Sequence, residues 1–280
     1  MKEFVEFRVD EELAPMLFSD NEGKRLGTSI RAVVLEPHDP RYSELGRLNK
    51  LFKEQQGKLF FYGWEIKRVY TPRDIANAKL FSFEPTVFFE PAGEECGTLY
   101  DESTACVCCG AGATQVGPLY LPYKRLKKTK DVIKTIGGEI VVSQRFKDIV
   151  QELGVVDVEF PPVYDAGNKE PSKDWFQLNV QAVSAMIASQ TRIGFNPFDN
   201  DSKDACRCPL GDLLGLNLLS EVSIKSGPET AADLFCSRQF VGTRRGLLRP
   251  RRLIFVSPRL AEALRANKIK GIELEVAHVV

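Results

Sequence analysis

Residues 106–112 read CVCCGAG and place three of the chain's seven cysteines within four positions. Cys106 and Cys109 have the C-x-x-C-G spacing of a zinc knuckle. In such a turn the first thiolate opens the loop and the second closes it. The glycine that follows lets backbone amides point back at sulfur. Cys108 falls inside the turn and points away from a metal held by its neighbours. One knuckle supplies two ligands, and a structural zinc takes four. Cys96 lies ten residues before Cys106 in EECGTLYD, ahead of another glycine, and Cys206 and Cys208 lie about a hundred residues downstream in CRCPLGD. The segment Cys208-Pro-Leu-Gly repeats the knuckle's turn chemistry with one thiol. These positions favour Cys96, Cys106, Cys109 and Cys208 as ligands of a structural zinc. Cys206 stands in reserve, and Asp212 is the oxygen alternative. Such a site would clamp two distant loops and contribute folding energy, because zinc binding and folding are coupled.

Other chemistry for these thiols stays open. A C-x-x-C can be a redox pair, although CVCCGAGATQVGPLYLP holds more glycine and proline than a motif opening a helix would. Buried free cysteines are also common, and Cys236 in ADLFCSRQF reads as a core thiol. Side-chain catalysis has little to stand on. The two histidines, His38 in EPHDPR and His278 near the end of a terminal strand, have no nucleophile beside them in sequence. The chain has no G-x-S-x-G, Walker loop or H-E-x-x-H. The run GTRRGLLRPRR at 242–252 carries five arginines and reads either as a solvated loop edge or as a site for phosphate or an acidic partner. As anchors for a protein partner, the sequence offers Trp175, Phe195 and Phe198 near the NPFDND loop, with Arg244 and Arg245. The alternative for Phe195 and Phe198 is a place in the core.

The elements that must hold these groups belong to an ordinary globular chain. Its 280 residues are 43% hydrophobic and 27% charged, enough for one large or two modest cores. Net charge is zero, so bulk electrostatics point to neither nucleic acid nor a membrane surface. No apolar run approaches the ~20 residues of a spanning helix. The opening MKEFVEFRVDEELAP carries acids early and lacks the apolar core of a secretory leader. Clustered cysteines in odd number argue against a secreted disulfide framework. The expected compartment is the cytoplasm.

Strands are expected at EFVEFRV, SIRAVVLE, KLFFYGWEIKRVY and WFQLNV. A helix is expected over PRYSELGRLNKLFKEQQGK, where Leu45, Leu48, Leu51 and Phe52 share a face. A short helix follows Thr71 as cap and Pro72 at its first position. The stretches 139–160 and 253–276 look alike. Each runs from an apolar strand through Ser-x-Arg and a short amphipathic helix to a glycine and an acidic, alternating strand. Ser143 and Ser257 are placed to cap their helices, with Phe146, Ile149 and Val150 facing inward in one and Leu260, Ala263 and Leu264 in the other. The expected fold is α+β, with mixed sheets, short helices, two similar strand–helix–strand units and a zinc-ribbon-like loop. A division near 122–138 would separate an N-terminal α+β region with the knuckle (1–125) from a C-terminal one with the duplicated units (126–280), unless both form one continuous domain.

EECGTLYDESTACVCCGAG, RCPLGDLLGLNLLSE and the paired V-S-x-R units together resemble the double-CXXCG-motif proteins of myxobacterial type. The resemblance spans roughly residues 60–280 and departs at Cys208-Pro-Leu-Gly-Asp, where the second motif keeps one thiol. Several proteins of that family are immunity proteins of swarm-inhibition and polymorphic toxin systems. The resemblance implies a non-enzymatic role, neutralising a cognate protein toxin by binding it. The competing class is a zinc-containing enzyme or nucleic-acid-binding module.

Overall fold

A computed structural model describes residues 1–198, 207–215, 217–225 and 232–280. Cys206 and the part of the NPFDNDSKD loop beyond Phe198 lie outside the described residues. The fold is α+β and rich in strands, with four α-helices among the described residues. The chain packs as two compact units. One holds Met1–Asn77 and Asn196–Asn200, the other Ala78–Phe195 and Asp201–Val280. The 122–138 stretch, where a boundary was expected, lies inside the second unit. No helix among the described residues is long and apolar enough to cross a membrane.

The first unit contains β1 (Lys2–Asp10), β2 (Lys24–Leu26), β3 (Ile30–Leu35), α1 (Pro40–Gln56), β4 (Phe61–Val69) and α2 (Pro72–Asn77). Its antiparallel sheet runs β2-β3-β1-β4. Alternation aims Val5, Phe7 and Val9 of β1 and Val33 and Leu35 of β3 into one core. Helix α1 starts where the Asp39 side chain accepts from the Arg41 amide, with Pro40 at its first position, and it ends at Gly57 in the left-handed region. Its Leu45 and Leu48 close the core, and buried Asn49 accepts from the Phe60 amide at 3.0 Å. Phe198 returns to this unit and stacks on Phe7, with ring centroids 5.8 Å apart.

The second unit begins with β5 (Leu80–Pro85), β6 (Phe88–Phe89), β7 (Leu99–Asp101), β8 (Thr114–Val116), β9 (Tyr120–Leu121), β10 (Val132–Thr135), β11 (Ile140–Ser143) and α3 (Gln144–Glu152). It continues with β12 (Val158–Glu159), β13 (Pro162–Asp165), β14 (Pro171–Gln177), β15 (Asn179–Val180), β16 (Val183–Ala185), β17 (Ile193–Gly194), β18 (Asn217–Leu218) and β19 (Ser223–Ile224). Last come β20 (Leu234–Val241), β21 (Arg251–Val256), α4 (Pro258–Ala266) and β22 (Ile272–Val279). Two six-stranded sheets, β6-β10-β11-β14-β13-β9 and β16-β20-β21-β5-β22-β19, carry most of it. The pairs β12-β15, β17-β18 and β7-β8 are separate ladders.

The two similar units are present, and they extend further upstream than their sequence pattern suggests. Ser143 Oγ accepts from the Phe146 amide at 3.2 Å and donates to Asp131 at 3.0 Å. Ser257 Oγ accepts from the Leu260 amide at 3.2 Å and donates to Asp233 at 2.5 Å. The third member repeats as well: Arg145 lies 3.6 Å from Asp131, and Arg259 Nε donates to Asp233 at 3.1 Å. Each aspartate immediately precedes a strand, β10 or β20, that pairs antiparallel with the strand leading into the helix. The units differ at their ends. Two-residue β12 pairs only with β15, whereas β22 joins the sheet between β5 and β19.

Gly46 in α1 gives a test of the first unit's core. An alanine in an exposed helix position is worth about 1 kcal/mol over glycine. A Cβ on Gly46 would lie 2.7 Å from the Phe198 ring. Gly46→Ala should therefore destabilise the chain by ~1–2 kcal/mol in urea unfolding. In a Phe198→Ala background the same change should be neutral or stabilising. Equal effects in both backgrounds would refute the packing of Phe198 against α1.

Candidate metal centre

The hairpin β7–β8 pairs Leu99 with Val116, Tyr100 with Gln115 and Asp101 with Thr114, and residues 102–113 between its strands form the knuckle. Inside that loop the Cys106 amide donates to the Ala111 carbonyl and the Gly110 amide to the Cys106 carbonyl, both at 2.7 Å. Gly110 and Gly112 take φ of 76° and 92°, a region that favours glycine. The second sulfur-bearing turn is built alike. The Gly211 amide donates to the Cys208 carbonyl and the Cys208 amide to the Asp212 carbonyl, both at 2.9 Å, and Gly211 has φ of 88°.

Both turns are fastened to one place, the end of β20 and the residues after it. The Leu213 amide donates to the Phe240 carbonyl at 2.9 Å, and the Gly242 amide to the Leu213 carbonyl at 2.8 Å. From the other turn, the Cys109 carbonyl accepts from the Arg244 amide at 2.8 Å. Gly110 is held tightly there, since a Cβ would come within 2.7 Å of Arg244 Cβ. The Sγ atoms of Cys106, Cys109 and Cys208 consequently lie within 4.8 Å of one another. Cys109 and Cys208 are buried and Cys106 half-buried, with Ala111, Leu214 and Phe240 packed around them.

The electrostatics suit a cation. Amides of Cys109 and Cys108 aimed at sulfur hold the Cys106 thiol below its ordinary range. Burial pushes the Cys109 thiol up to about 12, opposed by the Ala111 amide and reinforced by the neighbouring thiols. Four bonds of about 2.3 Å to a tetrahedral ion would space sulfurs by about 3.8 Å, and a cluster already within 4.8 Å closes on an ion by small side-chain rotations. Three convergent thiols, two of them buried and two receiving backbone amides, fit a thiophilic metal ion.

Three of the four expected thiol ligands are therefore together, and Cys96 is not among them. It ends a 3-10 turn, Glu94–Cys96, and packs half-buried against the cluster of Leu119, Leu121 and Trp175. Strand β7 then carries the chain roughly 10 Å onward before the knuckle begins. Cys108 is exposed. Cys236 is a core thiol, raised to about 12 by burial. Among the described residues this is the one group of histidine, cysteine and acidic side chains with metal-holding geometry.

The expected partner anchors divide. Trp175 is 4% exposed and Phe198 sits among Phe7, Tyr42 and Phe61, so neither presents a ring to a partner. Trp175 lies inside a core, which corrects the expectation of an exposed anchor there, and half-buried Phe198 packs against the first unit's core, the alternative stated for it. Arg244 is largely committed inside the chain, bonded to Glu102 and 3.6 Å from Glu94. Arg249 joins the same acids at 2.6 and 2.8 Å and lies over the Tyr100 ring. Arg251 bonds Glu84, and Arg252 caps the Ser237 carbonyl. Arg245 is exposed, with its guanidinium over the ring of Phe195, itself 42% exposed. The histidines each meet a glutamate: His38 with Glu36 at 3.4 Å and His278 with Glu221 at 2.7 Å.

Neither a known protein family nor a curated protein matches this chain.

Metal binding here must displace the Cys109 proton, so apparent affinity should rise with pH. Between pH 6 and 8, competition with a chelator should show a gain of at least about tenfold per pH unit. Cys106→Ser, Cys109→Ser and Cys208→Ser should each lose the ion, while Cys96→Ser and Cys108→Ser keep it. A pH-independent affinity, or loss of metal on replacing Cys96, would contradict this assignment of ligands.

Proposed function

We propose that the chain is an immunity-type protein that neutralises a cognate bacterial toxin by binding it, and that its three-thiol cluster holds a structural zinc. The observation carrying the metal half is the convergence of two sulfur-bearing turns, about a hundred residues apart in sequence, on the end of β20. An ion bridging them would act as a staple, adding its binding energy to folding. Tetrahedral thiolate coordination is the usual preference of zinc. The cysteines that form this cluster are also those on which the resemblance to immunity proteins rests.

The binding half is supported by what surrounds the cluster. Val107 at the tip of the knuckle is 105% exposed, and Leu210 at the tip of the second turn is 76% exposed. Leu99 and Val116, opposite each other in the β7–β8 hairpin, are also exposed. Single exposed apolar residues are normal, and the two at the tips of these hydrogen-bonded turns are the ones we assign as anchors. Turns held by hydrogen bonds and an ion lose little entropy on docking. This surface takes the place of Trp175 and Phe198 as the source of anchors, with Arg245 and Phe195 as further exposed candidates. Silencing a toxin requires roughly nanomolar affinity, about −12 kcal/mol, over an interface of about 1,200–2,000 Å².

Co-expression with a toxin encoded beside this chain should restore growth of a sensitive host. The double change Val107→Asp and Leu210→Asp should abolish protection and complex formation while metal content and melting temperature stay as they are. Full protection by that variant would remove the surface from the proposal. A substrate turnover abolished by one side-chain change would replace neutralisation by catalysis.

A further inference from the structure

We infer that Asp212 is the fourth ligand of the metal centre, giving a site of three thiolates and one carboxylate. The inference rests on the metal-binding reading above and goes beyond it by naming a ligand of different chemistry. Cys208 opens a turn whose fourth residue is Gly211, the position a second C-x-x-C cysteine would occupy. Gly211 has no side chain, and its φ of 88° turns the chain so that the next residue comes back to the cluster. There Asp212 places Oδ2 at 3.7 Å from Cys109 Sγ and 3.8 Å from Cys208 Sγ. One oxygen thus lies against the edge formed by the two buried sulfurs of the triangle.

The other carboxylate oxygen has a separate task. Asp212 Oδ1 accepts from the Phe240 amide at 2.8 Å. That bond fixes the orientation of the carboxylate and turns Oδ2 toward the thiols of Cys109 and Cys208, its hydrogen-bond partners among the described residues. A thiol is a weak hydrogen-bond donor, so two of them solvate a half-buried anion poorly. A cation between the sulfurs and Oδ2 removes that deficit. The carboxylate then has the ion as its natural partner on that side. A single carboxylate oxygen at about 2.0–2.2 Å is an ordinary zinc ligand beside thiolates at about 2.3 Å. Because Oδ1 is bonded to Phe240, the site would tie metal occupancy directly to the backbone of β20, as outer partners of metal ligands commonly do.

X-ray absorption at the metal edge of the purified zinc-loaded chain reads the ligand set. Three sulfurs and one oxygen or nitrogen are expected. Asp212→Asn keeps an oxygen able to accept from Phe240, so the chain should stay folded, checked by circular dichroism. Its zinc affinity, measured by chelator competition, should fall by about tenfold to a hundredfold or more. Asp212→Cys should convert the site to four sulfurs, raising the thiolate-to-cobalt charge-transfer intensity of the cobalt-substituted protein by about a third, as expected when three thiolates become four. Cys206→Ser should change neither spectrum nor affinity. Four sulfurs in the unaltered chain, or zinc affinity unchanged in Asp212→Asn, would overturn Asp212 as ligand and leave the metal centre standing. An unaltered chain that takes up no stoichiometric metal would overturn both.

Discussion

The second unit depends on a short length of backbone at the end of β20. Between Phe240 and Arg244 the main chain accepts from or donates to Leu213, and donates to Cys109 and to the Asp212 carboxylate. Two turns with no sequence proximity are thereby brought to one point. Each turn is internally closed by its own carbonyl-to-amide bonds, so the backbone of each cysteine is placed before any ion arrives and only side-chain rotations remain. This is preorganisation in the thermodynamic sense, because the ligands' backbone entropy is lost on folding and not on metal binding. The ion would then lock an arrangement that the backbone already favours.

Charge in this neighbourhood is balanced by the chain itself. Arg244 and Arg249 share Glu94 and Glu102, two cations with two anions, across the base of the knuckle. A second group sets Lys134 and Arg251 on the two oxygens of Glu84, at 3.0 and 2.6 Å. Burial pushes the Lys134 ammonium below its ordinary range, and the Arg251 charge adds to it, while Glu84 works against both. A bare sequence shows five arginines in eleven positions and suggests a basic surface. The fold spends most of them on acids that lie far away in the chain. What remains exposed on the two sulfur-bearing turns includes Val107 and Leu210 beside the polar Ser103 and Thr104.

Local chemistry in the sequence foretold local structure well. Thr71, Ser143 and Ser257 cap helices, Pro72 opens one, and α3 and α4 bury the faces their spacing implied. One detail differs: in α4 it is Ala261, with Leu260 and Leu264, that is buried. Non-local facts were harder to read. Asp131 and Asp233 each complete a cap by reaching a serine across an antiparallel pair, and nothing in their own neighbourhood announces a partner 12 or 24 residues on. Trp175 departs from its expected exposure for the opposite reason, and Phe198 takes the core place that was its alternative. The polar loops beside them implied exposure, but rings of that size are worth more in a core than the polarity of their neighbours can offset.

The cysteines show where local pattern stops being decisive. Cys96-Gly97 and Cys109-Gly110 look equivalent, and both glycines adopt positive φ, at 96° and 76°. Positive φ after a cysteine is therefore not enough to make a knuckle. At Cys109 the turn is closed back onto Cys106, whose amide and carbonyl are both bonded within the loop, so two sulfurs face the same side. At Cys96 the turn closes onto Gly93, which carries no ligand, and the thiol is left among Leu119 and its neighbours. A metal site needs convergent donors, and convergence here comes from which carbonyl each turn closes on. That choice is made by tertiary contacts with β20 and its following loop. It explains why three of the thiols are gathered while a fourth, with the same residue after it, is used as a small hydrophobic side chain.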